Sequence, residues 1–352
     1  MHLYMKSKLK ILSVGGFSGY GESNTCLHRT WALEEFGLVD RIDTSKSPYS
    51  LYKRIINKLF NLGINVCLPG REINKKIIRL VKENDYELLW IDKGSIINAS
   101  TLKKIKSIKP GIKIVGYSPD DMSQRHNQSF NFLGSLKYYD YYFTTKSYII
   151  EKLKMLGAKH IVFVNNAYEE KFHYPRAITT TDFKMLGGDV GFIGSWEMER
   201  AESILYLAEN GINVRVWGGG KWLDYKGKYR NLVIEDKGLF TEDYCKSIAS
   251  FKISLCFLRK MNFDMQTTRS VEIPACGGFL MAERTNEHQN LFEEGVEAEF
   301  FGSKEELLEK CRFYLENEIR IKEIMAKGLE RCIKSGYSNT KVIEGILSKI
   351  DL

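Results

Sequence analysis

Twice along this chain, short apolar runs ending in glycine or a polar turn alternate with segments of helical period, and such alternation folds as parallel strands joined by helices that cover both faces of a sheet. The first series opens with LKILSV at 9–14, which closes on Gly15-Gly16 and leads into a helix that Ser23 or Asn24 can cap and that runs to Phe36. Helices are expected at 49–62, 72–84, 100–107, 128–138 and 146–156, and strands at 87–92, 112–117, 140–144 and 161–164. Residues 165–188, with Pro175 and a threonine run at 179–181, interrupt the pattern and read as a linker. A second series follows: strands at 190–193, 213–217, 232–234, 252–257 and 278–281, helices at 197–209, 241–250 and 269–276, and helix throughout from Lys304. Two doubly wound, Rossmann-like α/β domains are the expectation, 1–170 and 171–335, with 336–352 a last helix packing back toward the first domain.

The 352 residues suit two domains of roughly 150 to 180 residues each. Lys6, Lys8 and Lys10 interrupt the opening before an apolar stretch of signal-peptide length can form, and no run approaches the roughly 20 apolar residues that span a bilayer. A cytoplasmic protein is therefore expected. The seven cysteines are scattered, odd in number and never in a CxxC pair, so they read as small buried apolar residues rather than disulfides or zinc ligands. The net charge of +8 is uneven: residues 1–170 hold 26 Lys and Arg against 16 Asp and Glu, and the remainder 26 against 28. A basic first half suits an anionic partner such as a phospholipid surface or a lipid-linked phosphate, and general lysine enrichment gives the same total.

Sites on doubly wound sheets lie just beyond the carboxyl ends of strands. The most informative such stretch is RKMNFDMQTTRSVEIPACGGFLMAER, 259–284, in which a polar loop gives way to a helix starting near Thr268 and ending at Gly277-Gly278. Thr267 and Thr268, with the backbone N–H groups and dipole of the helix start, offer neutral donors to a diphosphate. Arg269 can clamp a phosphate or carboxylate in bidentate fashion. Glu272, one turn on, can accept from two vicinal hydroxyls of a ribose, and Asp264 stands eight residues before it. A threonine-capped helix with solvated charges has the same local pattern.

The segment resembles the C-terminal signature of group 1 GT-B glycosyltransferases, where an acidic residue, seven others and a Glu precede a small-residue helix ending in Cys-Gly. TRSVEIPACGG at 268–278 with Glu283-Arg284, GFIGSWEMER at 191–200, and FEEGVEAEFFGSKEELLEKCRFYLENE downstream look, more narrowly, like the spore-maturation CgeB-like branch, over most of residues 188–335. The resemblance implies a GT-B fold, two doubly wound domains facing across a cleft, and sugar transfer from a nucleoside-diphosphate sugar with retention. It further implies that Glu272 binds the donor ribose, that Thr267, Thr268 and Arg269 hold the diphosphate, that Asp264 faces the transferred sugar, and that Gly238 lies where the nucleobase is held. Two departures stand out. The family pattern has Glu where Asp264 stands, and the Arg and Lys pair after the first strand of this domain is reduced to Arg200, with Arg259 or Lys260 as the second positive charge.

Other post-strand residues extend this reading. Gly218, in the triple glycine 218–220, reads either as close approach to the donor or as a tight turn. Gly15 and Gly16 can admit a phosphate, although GGFSGYG is not a dinucleotide fingerprint, and Phe17 and His126 are candidate acceptor contacts. Asp120 and Asp121 follow a strand directly and can serve as base toward an acceptor hydroxyl or orient it; Pro-Asp turn chemistry is the plain alternative. His160, His173 and His288 read as surface or capping residues. No metal-ligand spacing occurs, so no metal and no cofactor is expected, the nucleotide-sugar being a substrate and fixed positive charge stabilising the departing diphosphate.

Residues 50–63 form a basic amphipathic helix, with Leu51, Ile55, Ile56, Leu59 and Phe60 against Lys53, Arg54 and Lys58, which suits either a core-packed surface helix or peripheral contact with an anionic membrane at its inner face. Expected partners are the donor and a glycan, protein or lipid-linked acceptor in polysaccharide or glycoconjugate biosynthesis, with no nucleic acid. The rivals are a nucleotide-sugar 2-epimerase on the same fold and a non-catalytic GT-B binding module.

Overall fold

A computed structural model describes residues 9–45 and 51–352. Residues 1–8 and 46–50 lie outside it, and with them Lys6, Lys8 and the start of the 49–62 helix, Ser50 included. The chain divides into two compact units: one of Met1–Gly19 as far as described, Asn24–Asn165 and Thr340–Leu352, the other of Tyr20–Ser23 and Asn166–Asn339.

The first unit carries strands β1 (Leu9–Gly15), β2 (Gly37–Asp43), β3 (Leu88–Asp92), β4 (Lys113–Ser118), β5 (Tyr141–Thr144) and β6 (Ile161–Phe163), all parallel in the order β2-β1-β3-β4-β5-β6. Its helices are α1 (Thr25–Glu34), α2 (Leu51–Asn61), α3 (Arg71–Glu83), α4 (Ala99–Ile108), α5 (Phe130–Ser135) and α6 (Ile150–Met155). Side chains alternate across the sheet: Leu12, Val14, Leu89, Ile91 and Ile114 pack into one buried cluster, and Ile11, Leu88, Trp90 and Val115 into another on the opposite face. Ile343, Ile346 and Ile350, from the far end of the sequence, complete that second cluster.

Strand β2 has no counterpart in the sequence reading. It is an edge strand in which only Gly37 and Ile42 are buried, and Asp40 and Arg41 mask its period. Gly37 is required there: a Cβ would stand 2.2 Å from the Leu9 carbonyl oxygen.

The second unit contains α7 (Thr180–Leu186), β7 (Gly188–Ile193), α8 (Met198–Glu209), β8 (Val214–Trp217), β9 (Leu232–Glu235), α9 (Glu242–Ser250), β10 (Phe251–Cys256), α10 (Arg269–Ala275), β11 (Leu280–Glu283), α11 (Asn286–Leu291), β12 (Glu299–Phe301), α12 (Lys304–Leu315) and α13 (Glu318–Lys334); α14 (Asn339–Leu347) then carries the chain back to the first unit. The parallel order is β12-β11-β10-β7-β8-β9, the doubly wound arrangement with its reversal between β7 and β10. In the first unit the reversal falls between β1 and β3. Part of the stretch read as irregular is helical: Thr179 caps α7 in a reciprocal capping box with Asp182, so the threonine run starts a helix rather than filling a loop. Helix α11 and strand β12, six and three residues long, lacked a readable period.

All seven cysteines are free, and six are buried as expected; Cys67 is exposed.

Candidate functional site

At the β7/β10 reversal three guanidinium groups converge. Past β7 the chain passes through Gly194, Ser195 and Trp196 into α8, whose third residue, Arg200, turns back to donate to the Ser195 carbonyl (3.0 Å) and lies 3.4 Å from Glu197. Arg259, just past β10, approaches the same Glu197 carboxylate at 3.2 Å, so one acid serves two cations. Burial lowers the Arg200 pKa, and Arg269 and Arg259 lower it further against the pull of Glu197, so Arg200 feels both of the other positive charges. The Nε atoms of Arg200 and Arg269 are buried with no hydrogen-bond partner among the described residues. Lys260 is paired instead with Glu283. The cavity lined by Tyr244, Ser254, Leu255 and Arg269 is about 10 Å³, room for a single water beside the Arg269 guanidinium and not for a sugar nucleotide.

The loop before α10 is held from within. Ser270 Oγ accepts from the Thr267 N–H (3.0 Å) and meets His288 Nε2 at 2.7 Å, while His288 Nδ1 lies 2.6 Å from the Glu283 carbonyl. The carbonyl can only accept, so the neutral ring carries its proton on Nδ1 and Nε2 accepts from Ser270. Burial pushes the His288 pKa down to about 4, which fixes that neutral state. Two expectations change here. The Thr267 N–H is used by Ser270 and is not offered outward, and His288 is a fully buried link in the loop's support rather than a surface residue. Thr268 stands at the helix start with a half-buried side chain that makes no capping bond. Helix α10 has only seven residues, so its dipole is small, and the charge of the site comes from side chains. It ends as CGG demands: Gly277 takes φ +74, and the Gly278 N–H returns to the Ile273 carbonyl.

Glu272 is 5% exposed. Tyr244 Oη donates to its Oε2 at 2.6 Å, and His173 Nε2 stands 3.6 Å from its Oε1. His173 Nδ1 accepts from the Glu169 N–H, so its proton is on Nε2, toward Glu272. Burial, with Arg176 adding to it, pushes the His173 pKa down to about 3. His173 therefore is a buried neutral partner of Glu272, not a surface or capping residue. A carboxylate has about four lone-pair sites and Tyr244 fills one, so Glu272 is oriented by its neighbours with acceptor capacity to spare. Asp264 lies half-buried in the loop between Arg259 and α10.

The glycines divide. A Cβ at Gly218 would meet the Gly194 carbonyl at 2.3 Å and the Trp222 ring at 2.5 Å, and Trp222 Nε1 donates to that same carbonyl, so Gly218 makes room for the protein's own backbone and indole. Gly238 is crowded by Phe240 at 2.7 Å, and Gly15 by Cys26 Sγ at 2.3 Å. Gly16 has open space, with nothing nearer than Thr44 Oγ1 at 3.8 Å.

In the first unit the Phe17 N–H donates to Asp43 Oδ1 (3.1 Å). Beyond β4, Asp120 Oδ2 is 2.7 Å from Lys93 Nζ, and Lys93 also donates to Asn127 Oδ1 (3.3 Å). Asn127 Nδ2 donates to the Asp121 carbonyl (3.1 Å) and lies 3.2 Å from His126 Nε2. Asp121 is fully buried; its Oδ1 accepts from the Ser123 N–H and hydroxyl. Asp120, Asp121 and His126 thus belong to one network, and Lys93, which joins it, was not singled out in the sequence. Among the described residues no three His, Cys, Asp or Glu gather as metal ligands.

Residues 200–348 match the family model described as glycosyl transferase-like. This stretch is similar to a glycosyl transferase-like domain. The domain takes in most of the second unit, with Arg200, Arg259, Arg269 and Glu272, and runs on into α14. Solved structures resemble the whole chain. Anabaena Alr3699/HepE, in complex with UDP and glucose, is 14% identical with a TM-score of 0.64, covering 97% of this chain and 100% of its own. Sucrose-phosphate synthase from Thermosynechococcus elongatus is 12% identical with a TM-score of 0.64, covering 97% and 98%. An alpha-glucosyltransferase in complex with UDP and a 13-mer DNA is 11% identical with a TM-score of 0.67, covering 97% and 99%. Among curated proteins no sequence matches. The two parallel six-stranded sheets share the fold of these solved structures, the GT-B fold.

Proposed function

We propose that this chain transfers a sugar from a nucleoside-diphosphate sugar to an acceptor hydroxyl, with retention and without a metal ion. The observation that carries the reading is the gathering of Arg200, Arg259 and Arg269 at the β7/β10 reversal, with two guanidinium Nε atoms buried and unpartnered. Glu197 offers one carboxylate to two of these cations, and a diphosphate supplies two further anionic groups for planar donors. In the reaction the bond from the anomeric carbon to the diphosphate oxygen breaks, and its electron pair leaves with the nucleoside diphosphate. The acceptor oxygen bonds to that carbon, and its proton passes to the departing diphosphate. The arginines stabilise the charge that develops there, the part a metal plays elsewhere. Glu272 takes the ribose hydroxyls and Asp264 the transferred sugar, with Thr268 beside the diphosphate and the 238–240 stretch near the base. Asp120 and Asp121, with Phe17 and His126, belong to the acceptor side, where Gly16 leaves open space.

Uridine is the first base to test, because two of the GT-B structures described above hold UDP. We place the chain in the CgeB-like branch on the motifs of residues 188–335, and its acceptor among glycans, proteins and lipid-linked sugars of surface glycoconjugate synthesis, on the cytoplasmic side. Helix α2 favours a membrane-proximal acceptor: Tyr52 and Ile55 are exposed on a helix that also carries Lys53, Arg54 and Lys58.

The test is thermal stabilisation by UDP, GDP, dTDP and CMP and their sugars, since a ligand of the folded state raises Tm. Arg200→Ala and Arg269→Ala should each abolish the shift. No shift with any nucleotide, or an unchanged shift in both variants, would refute the donor assignment.

A further inference from the structure

Lys93 is one of three described non-glycine residues in the left-handed region, at φ +60, and Gly94 beside it is at φ +71. A lysine gains nothing intrinsic from that conformation, and a glycine would hold it at less cost. The strained residue sits at the carboxyl end of β3, beside the β1/β3 reversal of the first unit's sheet, where ligands of doubly wound folds bind. Its N–H donates to the Tyr117 carbonyl (2.7 Å), extending the β3/β4 ladder one step beyond the strand. That bond fixes where the side chain starts. From there Lys93 Nζ reaches Asp120 and Asn127.

Stability does not explain the arrangement. The Lys93 and Asp120 side chains are 39% and 34% exposed, and an ion pair so open to water adds little to folding. A second observation points to a ligand at the same place. Asp121 is fully buried, and its Oδ2 has no hydrogen-bond partner among the described residues, so an acceptor atom stands unused one residue from Asp120. Residues held in sparse backbone regions cluster where a side chain must be aimed.

We propose that Lys93 is a positioning residue of an acceptor-hydroxyl site built on the ends of β3 and β4: its ammonium aims the Asp120 carboxylate, and a hydroxyl of a polyhydroxylated acceptor beside the one that reacts, or the second O–H of water in its absence, donates to the aspartate pair. The proposal rests on the glycosyl-transfer reading and adds to it the residue that orders its acceptor side. Lys93 touches no reacting atom. It holds Asp120 and, through Asn127, the backbone of Asp121.

The experiment uses the full chain with whichever of UDP-, GDP- and dTDP-glucose it cleaves, water serving as acceptor and nucleotide release as readout, together with Lys93→Gly and Lys93→Arg. Lys93→Gly relieves the backbone and removes the cation, so it should melt no lower than the unaltered protein and bind the nucleoside diphosphate equally. Its kcat should fall about 10- to 100-fold, the range for a misplaced catalytic group. Lys93→Arg, which keeps the charge, should recover part of that loss. Unchanged kcat in Lys93→Gly overturns the proposal, and so does a loss that only follows a lowered Tm, which would make Lys93 structural. Nucleotide binding and release by the unaltered chain, with no effect of Lys93→Gly, sinks the proposal alone. Absence of binding and release with every donor sinks the glycosyl-transfer reading and the proposal with it.

Discussion

Replacing Glu272 tests the donor site, and the structure shows that one variant cannot do it. The carboxylate accepts from Tyr244 Oη at 2.6 Å and faces the protonated Nε2 of His173, so Glu272→Ala removes an internal partner as well as any ribose contact. A buried hydroxyl left without its acceptor costs about 1 to 3 kcal/mol of folding stability. Hydrogen bonds from ribose to the carboxylate are worth about 1.5 to 3 kcal/mol, roughly 10- to 150-fold in Kd. The two losses separate in a double-mutant cycle with Tyr244→Phe, which removes the stranded hydroxyl. Glu272→Ala should lose both stability and UDP affinity, Tyr244→Phe should lose affinity by no more than a few fold, and the pair together should regain stability while UDP binding stays weak. Urea unfolding supplies one axis and titration calorimetry of the folded proteins the other. Calorimetry giving Glu272→Ala the Kd of the unaltered protein would mean that Glu272 serves the interior alone.

If the three arginines neutralise the diphosphate, turnover should survive excess EDTA; loss restored by Mg²⁺ or Mn²⁺ would contradict this. Acid should destabilise the fold through His173 and His288, whose pKa values of about 3 and about 4 lie below that of an unfolded imidazole. The unfolded chain binds the extra protons, so stability present above about pH 6.5 is lost as pH falls toward 4 and then 3, each ring contributing on the order of 3 to 5 kcal/mol. Glu169 acts in the opposite sense: burial pushes its pKa up to about 7, so its contribution is full below about pH 4.5 and lost as pH rises through 7. Glu169→Gln should therefore gain about 3 kcal/mol on the unaltered protein between pH 4.5 and pH 8 in urea unfolding, and a pH-independent difference would disprove the linkage. If α2 meets anionic membrane, the protein should float with anionic vesicles at low salt and detach at high salt. Lys53, Arg54 and Lys58 changed together to Gln should abolish flotation, each basic residue near the surface being worth about 1 kcal/mol. An unaltered protein that stays at the bottom of the gradient removes the membrane role.

The strands were legible wherever both faces of the sheet are buried, because β3, β4, β7 and β10 are then mainly apolar. Edge strand β2 was not, since water on one side lets Asp40 and Arg41 into it. Arg200, Arg269 and Glu272 could be singled out in the sequence because they occupy fixed offsets from a strand end or a helix start. What sequence could not show was pairing across the fold: Tyr244 and His173 meet Glu272 from 28 residues before and from far outside its helix, and His288 reaches Ser270 from 18 residues beyond. Lys93 was hidden for another reason. IDKGS reads as an ordinary turn, and only the sign of one torsion angle sets it apart.

Because Ile343, Ile346 and Ile350 belong to the cluster of Ile11, Leu88 and Trp90, the unit synthesised first is the last to be finished. After Asn165 leaves the ribosome, a further stretch of chain must follow before Thr340 appears, roughly 10 to 35 s at ordinary elongation rates. Throughout that interval one face of the nascent sheet lacks its final helix, exposing Trp90 and Val115 to chaperones or to other nascent chains. Losing Thr340–Leu352 would leave the arginine site's own unit complete and strike the other one, so the change would be felt as misfolding of a sheet encoded more than 170 residues earlier.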